Sequence, residues 1–188
     1  MMTTKIALIA GAALTTGAMA DDLLLVDLTV ANQVTITATS NAASASASGT
    51  VFTGVLLADF YGSTTGAGLV DSLVSGDLTT AANPTDGTPD LFRGFGSSGL
   101  NIWSFSTDTT FSITAGSQAF TGSATWSLSA AEYADMLAGN SSGDIYAPAD
   151  TDDDIAGATL IGQYRVIPAP SAMALLGLGG LVAGRRRR

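Results

Sequence analysis

The chain has 188 residues, of which 16 are acidic and seven basic, and it contains neither cysteine nor histidine. The lack of both residues excludes disulfide-stabilised folds, Cys–His nucleophiles and the Ser-His-Asp triad, and it removes the usual ligands of zinc. The net charge of −9 opposes binding to nucleic acid, because the phosphate backbone is also negative. We therefore expect no nucleic-acid partner, and a length that suits one domain with a hydrophobic core.

The first 20 residues have the pattern of a secretory signal peptide. A weakly basic start precedes a short apolar run over residues 6–14. Ala18 and Ala20 then form the small-x-small pattern at which signal peptidase cleaves. We expect residues 1–20 to be removed on export, which makes Asp21 the first residue of the mature chain.

Residues 21–165 have the composition of an exported β-rich domain, with abundant Thr, Ser, Ala, Gly and Val and few Lys and Glu. Alternating polarity and short apolar runs predict strands. The predicted strands are 23–30, 34–39, 50–60, 69–74, 91–95, 101–105, 109–115, 118–128 and 158–167, with a helix left open within 50–60. We expect a mainly β fold: an antiparallel β-sandwich of jelly-roll or Greek-key type with one short helix, its strand order left open.

Turn residues connect several of these strands. The sequence Ala31-Asn32-Gln33 predicts a hairpin connection between the first two strands. The sequence Ala115-Gly116-Ser117 predicts a second hairpin, between strands 109–115 and 118–128. Residues 41–49 predict a loop, because Ser alternates with Ala and a glycine closes the run.

One helix is predicted, over residues 130–138. It begins with a capping box, in which the Ser129 side chain accepts the backbone N–H of Glu132 and the Glu132 carboxylate returns to the cap. Gly139-Asn140 then provides its end. Capping explains Glu132, the only glutamate of the chain, and we therefore assign it no catalytic role.

An acidic cluster precedes the last predicted strand. Asp150, Asp152 and Asp154 have the spacing of the first half of a calcium loop. Ile155 stands where an EF-hand needs glycine, and Ile161 where it needs the bidentate glutamate. We interpret the cluster as an acidic surface loop and keep low-affinity calcium as the alternative. No other cofactor is expected.

A second polar group lies in the Pro- and Gly-rich middle of the chain. Asp86, Asp90 and Arg93 are candidates for binding sugar hydroxyls, with Trp103 as a stacking face. Turn formation explains this region better, because Asn83-Pro84 and Asp86-Gly87 are typical turn sequences.

The C-terminal residues combine a proline motif, an uncharged apolar run and a basic end: Pro168-Ala169-Pro170, residues 172–184, and Arg185, Arg186, Arg187 and Arg188. As a helix the run would span about 20 Å at 1.5 Å per residue, which is short of the about 30 Å of a hydrocarbon core. The arginines can reach the interface and favour its cytoplasmic side. We expect a short transmembrane helix that tethers the chain transiently to the inner membrane, with the domain in the periplasm.

This tail resembles the PEP-CTERM sorting signal of Gram-negative bacteria, in which a Pro-Glu-Pro motif, a short apolar helix and a basic end follow one another. The resemblance covers residues 166–188, and it departs from the family at Ala169, where Glu is usual. It implies two partners: the general export machinery and an exosortase, a membrane-embedded transpeptidase that cleaves near the proline motif. It also implies a producer of exopolysaccharide or biofilm matrix, and a cell-surface or extracellular location after processing.

Removal of both ends leaves Arg93 and Arg165 against 16 acidic residues, a net charge of −14. We expect an exported, exosortase-processed surface or extracellular-matrix protein without enzymatic activity. A carbohydrate-binding β-sandwich module, with extracellular polysaccharide as partner, is the alternative. A secreted hydrolase that uses two Asp residues is the third interpretation; it is disfavoured because no carboxylate pair stands out in the sequence.

Overall fold

The structure, a computed structural model, describes residues 22–50, 53–65, 72–84, 88–103, 110–149 and 155–167. Within these ranges it has 13 β-strands and a single α-helix, which confirms the mainly β fold class. None of the residues it describes forms a helix of the length and apolarity that a membrane span needs. The predicted signal peptide, with Ala18 and Ala20, and the apolar run 172–184 both lie outside these ranges.

The strands are short, with two to nine residues each. The first seven are β1 (Asp22–Asp27), β2 (Gln33–Ala38), β3 (Ala47–Thr50), β4 (Gly54–Leu57), β5 (Ser72–Gly76), β6 (Thr79–Thr80) and β7 (Asp90–Phe92). The others are β8 (Leu100–Trp103), β9 (Thr110–Ile113), β10 (Phe120–Thr121), β11 (Ser123–Ser127), β12 (Ser142–Ala149) and β13 (Thr159–Ile167). The helix α1 (Ala130–Ala138) lies between β11 and β12.

Nine strands form one sheet in the order β5-β11-β2-β1-β13-β12-β4-β8-β7. Seven of its eight neighbouring pairs are antiparallel, and the β1–β13 pair is parallel. The prediction of a purely antiparallel arrangement is therefore wrong at this pair, because periodicity reports a strand and not its partner. Two small antiparallel sheets, β6–β10 and β3–β9, accompany the large one.

The two predicted hairpins have different outcomes. The connection at Ala31 and Asn32 is confirmed: β1 and β2 are antiparallel neighbours, and Asn32 has φ +59°, a left-handed conformation that Asn tolerates. The hairpin at Ala115-Gly116 is wrong, although a turn is present there. β9 pairs with β3, β10 pairs with β6, and β11 pairs with β2 and β5.

Three strands were not predicted from the sequence: β3, the two-residue β6, and β12. β3 lies inside the segment 41–49 that was expected to be a loop and extends one residue past it. β12 lies in a stretch with no strand prediction, yet it is an inner strand of the sheet, between β13 and β4. Pro148 argues against an inner strand in the sequence, because proline lacks the backbone N–H that a strand needs for pairing. In the structure Pro148 lies where the β12–β4 register shifts, between Tyr146 and Ala149.

The hydrophobic core covers one face of the large sheet. Trp126 is fully buried, and its indole N–H donates to the Pro89 carbonyl at 3.2 Å. The aliphatic members contributed by the inner strands are fully buried as well: Leu24, Val26, Val34, Ile36, Val55, Leu57, Leu100, Ile102, Ile145 and Ile161. Burying each of these side chains contributes about 1.5–3 kcal/mol relative to exposure. This gain explains why the apolar side chains of these strands face the core.

The helix is confirmed, together with its capping box. The Ser129 side chain accepts from the Glu132 N–H at 3.2 Å, and Glu132 Oε2 accepts from the Ser129 N–H at 3.1 Å. Met136 of the helix is buried, and the Tyr133 hydroxyl donates to the Leu28 carbonyl at 2.6 Å. The helix therefore packs against the end of β1, and Glu132 has the structural role that its position predicted.

β13 brings the C-terminal end of the described chain into the middle of the sheet. It continues to Ile167, where the predicted strand 158–167 also ends, so Val166 and Ile167, the first two residues of the segment that resembles the sorting signal, belong to the sheet. The Ile167 carbonyl accepts from the Leu28 N–H at 3.2 Å. Arg165 forms an ion pair with Asp22 at the start of β1, where the Asp22 side chain is 4% exposed. The fold thus extends to the residue directly before Pro168.

Candidate functional site

An open cleft lies on the large sheet at β4, β12 and β13, next to the C-terminal end of α1. Its volume is about 510 Å³, within the range of about 300–1,000 Å³ that small-molecule sites occupy. Two aspartates stand in it, and we call it the acidic cleft. Its lining residues are Leu56, Ala58, Asp59, Ser98, Asn140, Ser142, Gly143, Asp144, Tyr146, Ile155 and Gln163.

The cleft lies on the side of the sheet away from the core. Leu57 and Ile145 belong to the core cluster. Because side chains alternate along a strand, their neighbours Leu56 and Asp144 point to the other face. Leu56 is paired with Tyr146 on β12, and these two residues form the floor of the cleft; Leu56 is 2% exposed and Tyr146 is half-buried.

Asp59 enters the cleft from the turn that follows β4. Its φ of +52° is a left-handed conformation that Asp tolerates better than most side chains. One carboxylate oxygen, Oδ1, accepts from the Ser98 hydroxyl at 3.1 Å, and the Asp59 carbonyl accepts from the Asn140 side-chain amide at 3.0 Å. The carboxylate is exposed, and these two neighbours fix where it stands.

Asp144 faces the same space from β12. Its Oδ1 accepts from the Gln163 side-chain amide at 3.2 Å, and the two residues are opposite each other in the β12–β13 pairing. The Ala58 N–H donates to the Asp144 carbonyl at 3.0 Å. This backbone bond places the chain just before Asp59 against the chain at Asp144, so the two carboxylates approach from adjacent segments.

Tyr164 is a core residue close to the two aspartates. It is fully buried, and its hydroxyl donates to the Ala58 carbonyl at 2.8 Å. Burial raises the pKa of Tyr164 well above that of an ordinary tyrosine, and the negative charges of Asp59 and Asp144 raise it further. Both carboxylates therefore act on the same hydroxyl.

Gly143 lines the cleft and packs directly against Tyr164. A Cβ at this position would lie 2.7 Å from Tyr164 Cε1 and from the Tyr164 hydroxyl oxygen, and 2.8 Å from the Ala58 carbonyl oxygen. These separations are shorter than van der Waals contact, so only glycine lets β12 approach Tyr164 this closely.

The polar groups of the cleft are mixed in kind. Two carboxylates can only accept hydrogen bonds, whereas the amides of Asn140 and Gln163 and the hydroxyls of Ser98, Ser142 and Tyr146 can both donate and accept. No basic side chain is among the lining residues. The arrangement is suited to a neutral or positively charged ligand, and it would repel an anion.

Arg93, which the sequence offered as a candidate for sugar binding, lies elsewhere and bonds to other residues of the protein. It is 1% exposed, and its Nη1 contacts Asp135 Oδ2 at 2.7 Å. Its Nε donates to the Ser97 carbonyl at 3.1 Å, its Nη2 donates to the Ser63 carbonyl, and its guanidinium lies 3.8 Å from the centroid of the Tyr61 ring. We call these five residues the arginine cluster. Arg93 therefore links two loops, the one after β4 and the one between β7 and β8, to α1.

The other predicted site residues are not brought together. Asp90 is exposed on the edge strand β7, apart from the acidic cleft. Asp86, the side chain of Trp103, and the calcium candidates Asp150, Asp152 and Asp154 lie outside what the structure describes. The sorting residues lie outside it as well: Pro168, Ala169, Pro170, Arg185, Arg186, Arg187 and Arg188. Within the described ranges, no three acidic side chains are grouped to hold a metal ion.

Comparison of the chain with family models, with curated proteins and with solved structures gave no match. The acidic cleft was also not predicted from the sequence. Its residues come from five separate segments, and Asp144 lies on β12, a strand that the sequence pattern did not predict. The one local signal was an Asp directly after the apolar run of β4, at Asp59.

Proposed function

We propose that this protein is exported, tethered briefly to the inner membrane by its C-terminal segment, released by an exosortase and retained as a non-enzymatic component of an extracellular polysaccharide layer. The supporting features of the sequence are the signal-peptide pattern and the proline–apolar–arginine tail. The acidic composition of the remaining chain suits a soluble extracellular protein.

One structural observation carries the proposal. All 13 described strands and the helix precede Pro168, and the last strand ends at Ile167, one residue before the motif. Cleavage near the motif would therefore remove none of these elements. Because β13 is hydrogen-bonded on both sides, by β1 and β12, the folded body would hold the motif at a defined distance from the membrane.

Mass spectrometry of the secreted protein tests this proposal. The full-length chain is expressed in a host with an exosortase and in the same host without it. We expect the secreted form to begin at Asp21 and to lack Arg185–188, and we expect loss of the exosortase to leave a membrane-associated form that keeps them. Recovery of secreted protein with all four arginines intact would contradict the proposal.

We also propose that the domain is a β-sandwich, in which the two small sheets cover the core face of the large one. Phe120 of β10 and Ile113 of β9 are at most 3% exposed and belong to the same core cluster as the inner strands. A crystal structure tests this arrangement. Small sheets that extend the edges of the large sheet, without covering its core face, would contradict it.

Carbohydrate binding is a second candidate function, and the acidic cleft is the observation that favours it. The cleft combines carboxylates, amides and hydroxyls over an apolar floor, the kinds of groups that can bind the hydroxyls and the C–H face of a sugar. A glycan-array measurement on the secreted protein tests it, and the absence of any bound glycan would contradict it.

A further inference from the structure

We propose that the acidic cleft binds a neutral, polyhydroxylated ligand, that is, a segment of a glycan without acid groups. This inference rests on the second candidate function above and adds the chemical class of the ligand and the residues that select it. The argument uses the charge of the cleft, the kinds of hydrogen-bonding groups, and the way in which these groups are held.

The charge of the cleft excludes anionic ligands. Asp59 and Asp144 bring two negative charges, and among the described residues no Arg or Lys lines the cleft to balance them. The two arginines of the described chain are engaged elsewhere, Arg93 with Asp135 and Arg165 with Asp22. A phosphate, a sulfate or a uronic acid would lose its hydration here and meet like charges.

The hydrogen-bonding groups favour a polyol over a cation. A cation needs acceptors only, whereas five of the seven polar side chains that line the cleft can also donate. Each carboxylate already accepts one hydrogen bond from the protein, at Oδ1. A sugar hydroxyl both donates and accepts, so a row of hydroxyls matches alternating carboxylate, amide and hydroxyl groups.

The key groups are positioned before any ligand arrives. Asp59 is fixed by its left-handed backbone, by the Ser98 hydroxyl and by the Asn140 amide. Asp144 and Gln163 are fixed by their opposite places on β12 and β13. Such preorganisation reduces the entropy that binding must lose.

The floor suits the less polar face of a sugar ring. Leu56 is paired with the half-buried Tyr146 on this face of the sheet, and an aromatic ring can pack against C–H groups while its hydroxyl stays hydrated. Asn101 lies beside Leu56 in the β4–β8 pairing and is 1% exposed. Asn101 does not line the cleft, so its Nδ2 donor, which has no acceptor among the described residues, is not one of the groups offered to the ligand.

Isothermal titration calorimetry on the secreted protein, expressed from the full-length chain, tests the inference. The probes are neutral hexasaccharides of glucose, galactose and mannose, matched oligomers of glucuronic and mannuronic acid, and calcium chloride. We expect at least one neutral hexasaccharide to bind and both uronic-acid series to fail. Binding of the uronic-acid oligomers, binding of calcium alone, or no binding of any neutral sugar would overturn the inference.

Substitutions assign the binding to the cleft. Asp59→Asn and Asp144→Asn keep side-chain shape, and each should weaken binding of the neutral sugar at least tenfold. Asp90→Asn on the edge strand β7 removes the same charge away from the cleft and should leave affinity unchanged. Circular dichroism melting confirms that each variant is folded, and Asn140→Ala replaces any Asp variant that is not. Equal affinity in the cleft variants and in Asp90→Asn would overturn the inference.

The same samples separate this inference from the proposed route of export. Tail processing, read by mass spectrometry, should be normal in Asp59→Asn and Asp144→Asn. Normal processing without sugar binding in the unaltered protein would refute the cleft ligand and leave the export proposal intact. Sugar binding by a secreted protein that keeps Arg185–188 would refute the export proposal and leave the cleft ligand intact.

Discussion

The arginine cluster and the acidic cleft use similar residues in opposite ways. Each contains aspartate, serine and tyrosine side chains, and each lies at the junction of loops with α1. In the arginine cluster the charge of Asp135 is met by a guanidinium at 2.7 Å that is 1% exposed. In the acidic cleft the carboxylates of Asp59 and Asp144 accept, among the described residues, only from neutral donors at Oδ1.

This difference shows which polar groups serve folding and which remain for a ligand. A buried charge must be paired and hydrogen-bonded, because its desolvation is costly. Arg93 meets this condition with one carboxylate, two carbonyls and an aromatic ring. Carboxylates at an open surface do not need such pairing, so their grouping in a cleft without cations is not required by stability.

The largest expected effect comes from removing Arg93. Arg93→Ala removes the cationic partner of Asp135 and leaves two loop carbonyls without their donor. We expect a loss of about 3–5 kcal/mol in the free energy of unfolding, measured by urea denaturation. Asp90→Asn serves as the surface control and should change stability by less than about 0.5 kcal/mol. A loss below about 1 kcal/mol for Arg93→Ala would show that the cluster does not hold the loops to α1.

The next effect tests the contact between Gly143, which lines the acidic cleft, and the core residue Tyr164. Gly143→Ala places a Cβ 2.7 Å from the Tyr164 hydroxyl oxygen and ring, and overpacking of this kind costs about 1–3 kcal/mol. Ser142→Ala, at the neighbouring exposed position, is the matched control. Part of the cost comes from the hydroxyl, so it should shrink when Gly143→Ala is made in a Tyr164→Phe background. An equal cost in both backgrounds would contradict the contact.

Much of the fold could be predicted from local sequence. The capping box at Ser129 and Glu132, the Asn32 turn and the alternation in β2 are short-range patterns, and the structure confirms each of them. Pairing is not short-range. The β1–β13 pair joins Asp22 with Gln163, and nothing near either residue indicates the other.

The acidic cleft could not be predicted because it also depends on strand pairing, and because one of its strands does not look like a strand in the sequence. Its members are brought together by strand order, and strand order depends on β12, which Gly143 and Pro148 made resemble a loop. Gly143 is present because Tyr164 packs against it, a tertiary constraint that a single sequence does not reveal. The burial of Arg93, a candidate for sugar binding, could not be predicted because its partner, Asp135, lies 42 residues away on α1.

The pH dependence of stability tests the raised pKa of the buried Tyr164 hydroxyl. The folded state holds Tyr164 neutral by raising its pKa, so the stability that this provides is fully present below the ordinary tyrosine pKa of about 10. Above that pH the unfolded chain releases the proton and the folded chain does not, so stability falls as pH rises. Tyr164→Phe should cost about 1 kcal/mol at pH 7 through the lost bond to Ala58 and should reduce the fall between about pH 9 and 11. Parallel curves for the two proteins would contradict the shift.

The smallest expected effect on stability is at the aspartates of the cleft. Asp59→Asn retains an acceptor for the Ser98 hydroxyl and a side chain that tolerates φ +52°, so the free energy of unfolding should change by less than about 0.5 kcal/mol. The same substitution at Asp135 weakens a charged pair with a buried arginine and should cost about 1–3 kcal/mol. Urea denaturation of both variants under one set of conditions compares one chemical change in two settings. If Asp59→Asn cost as much as Asp135→Asn, the cleft carboxylate would be needed for folding, and its availability for a ligand would lose its physical basis.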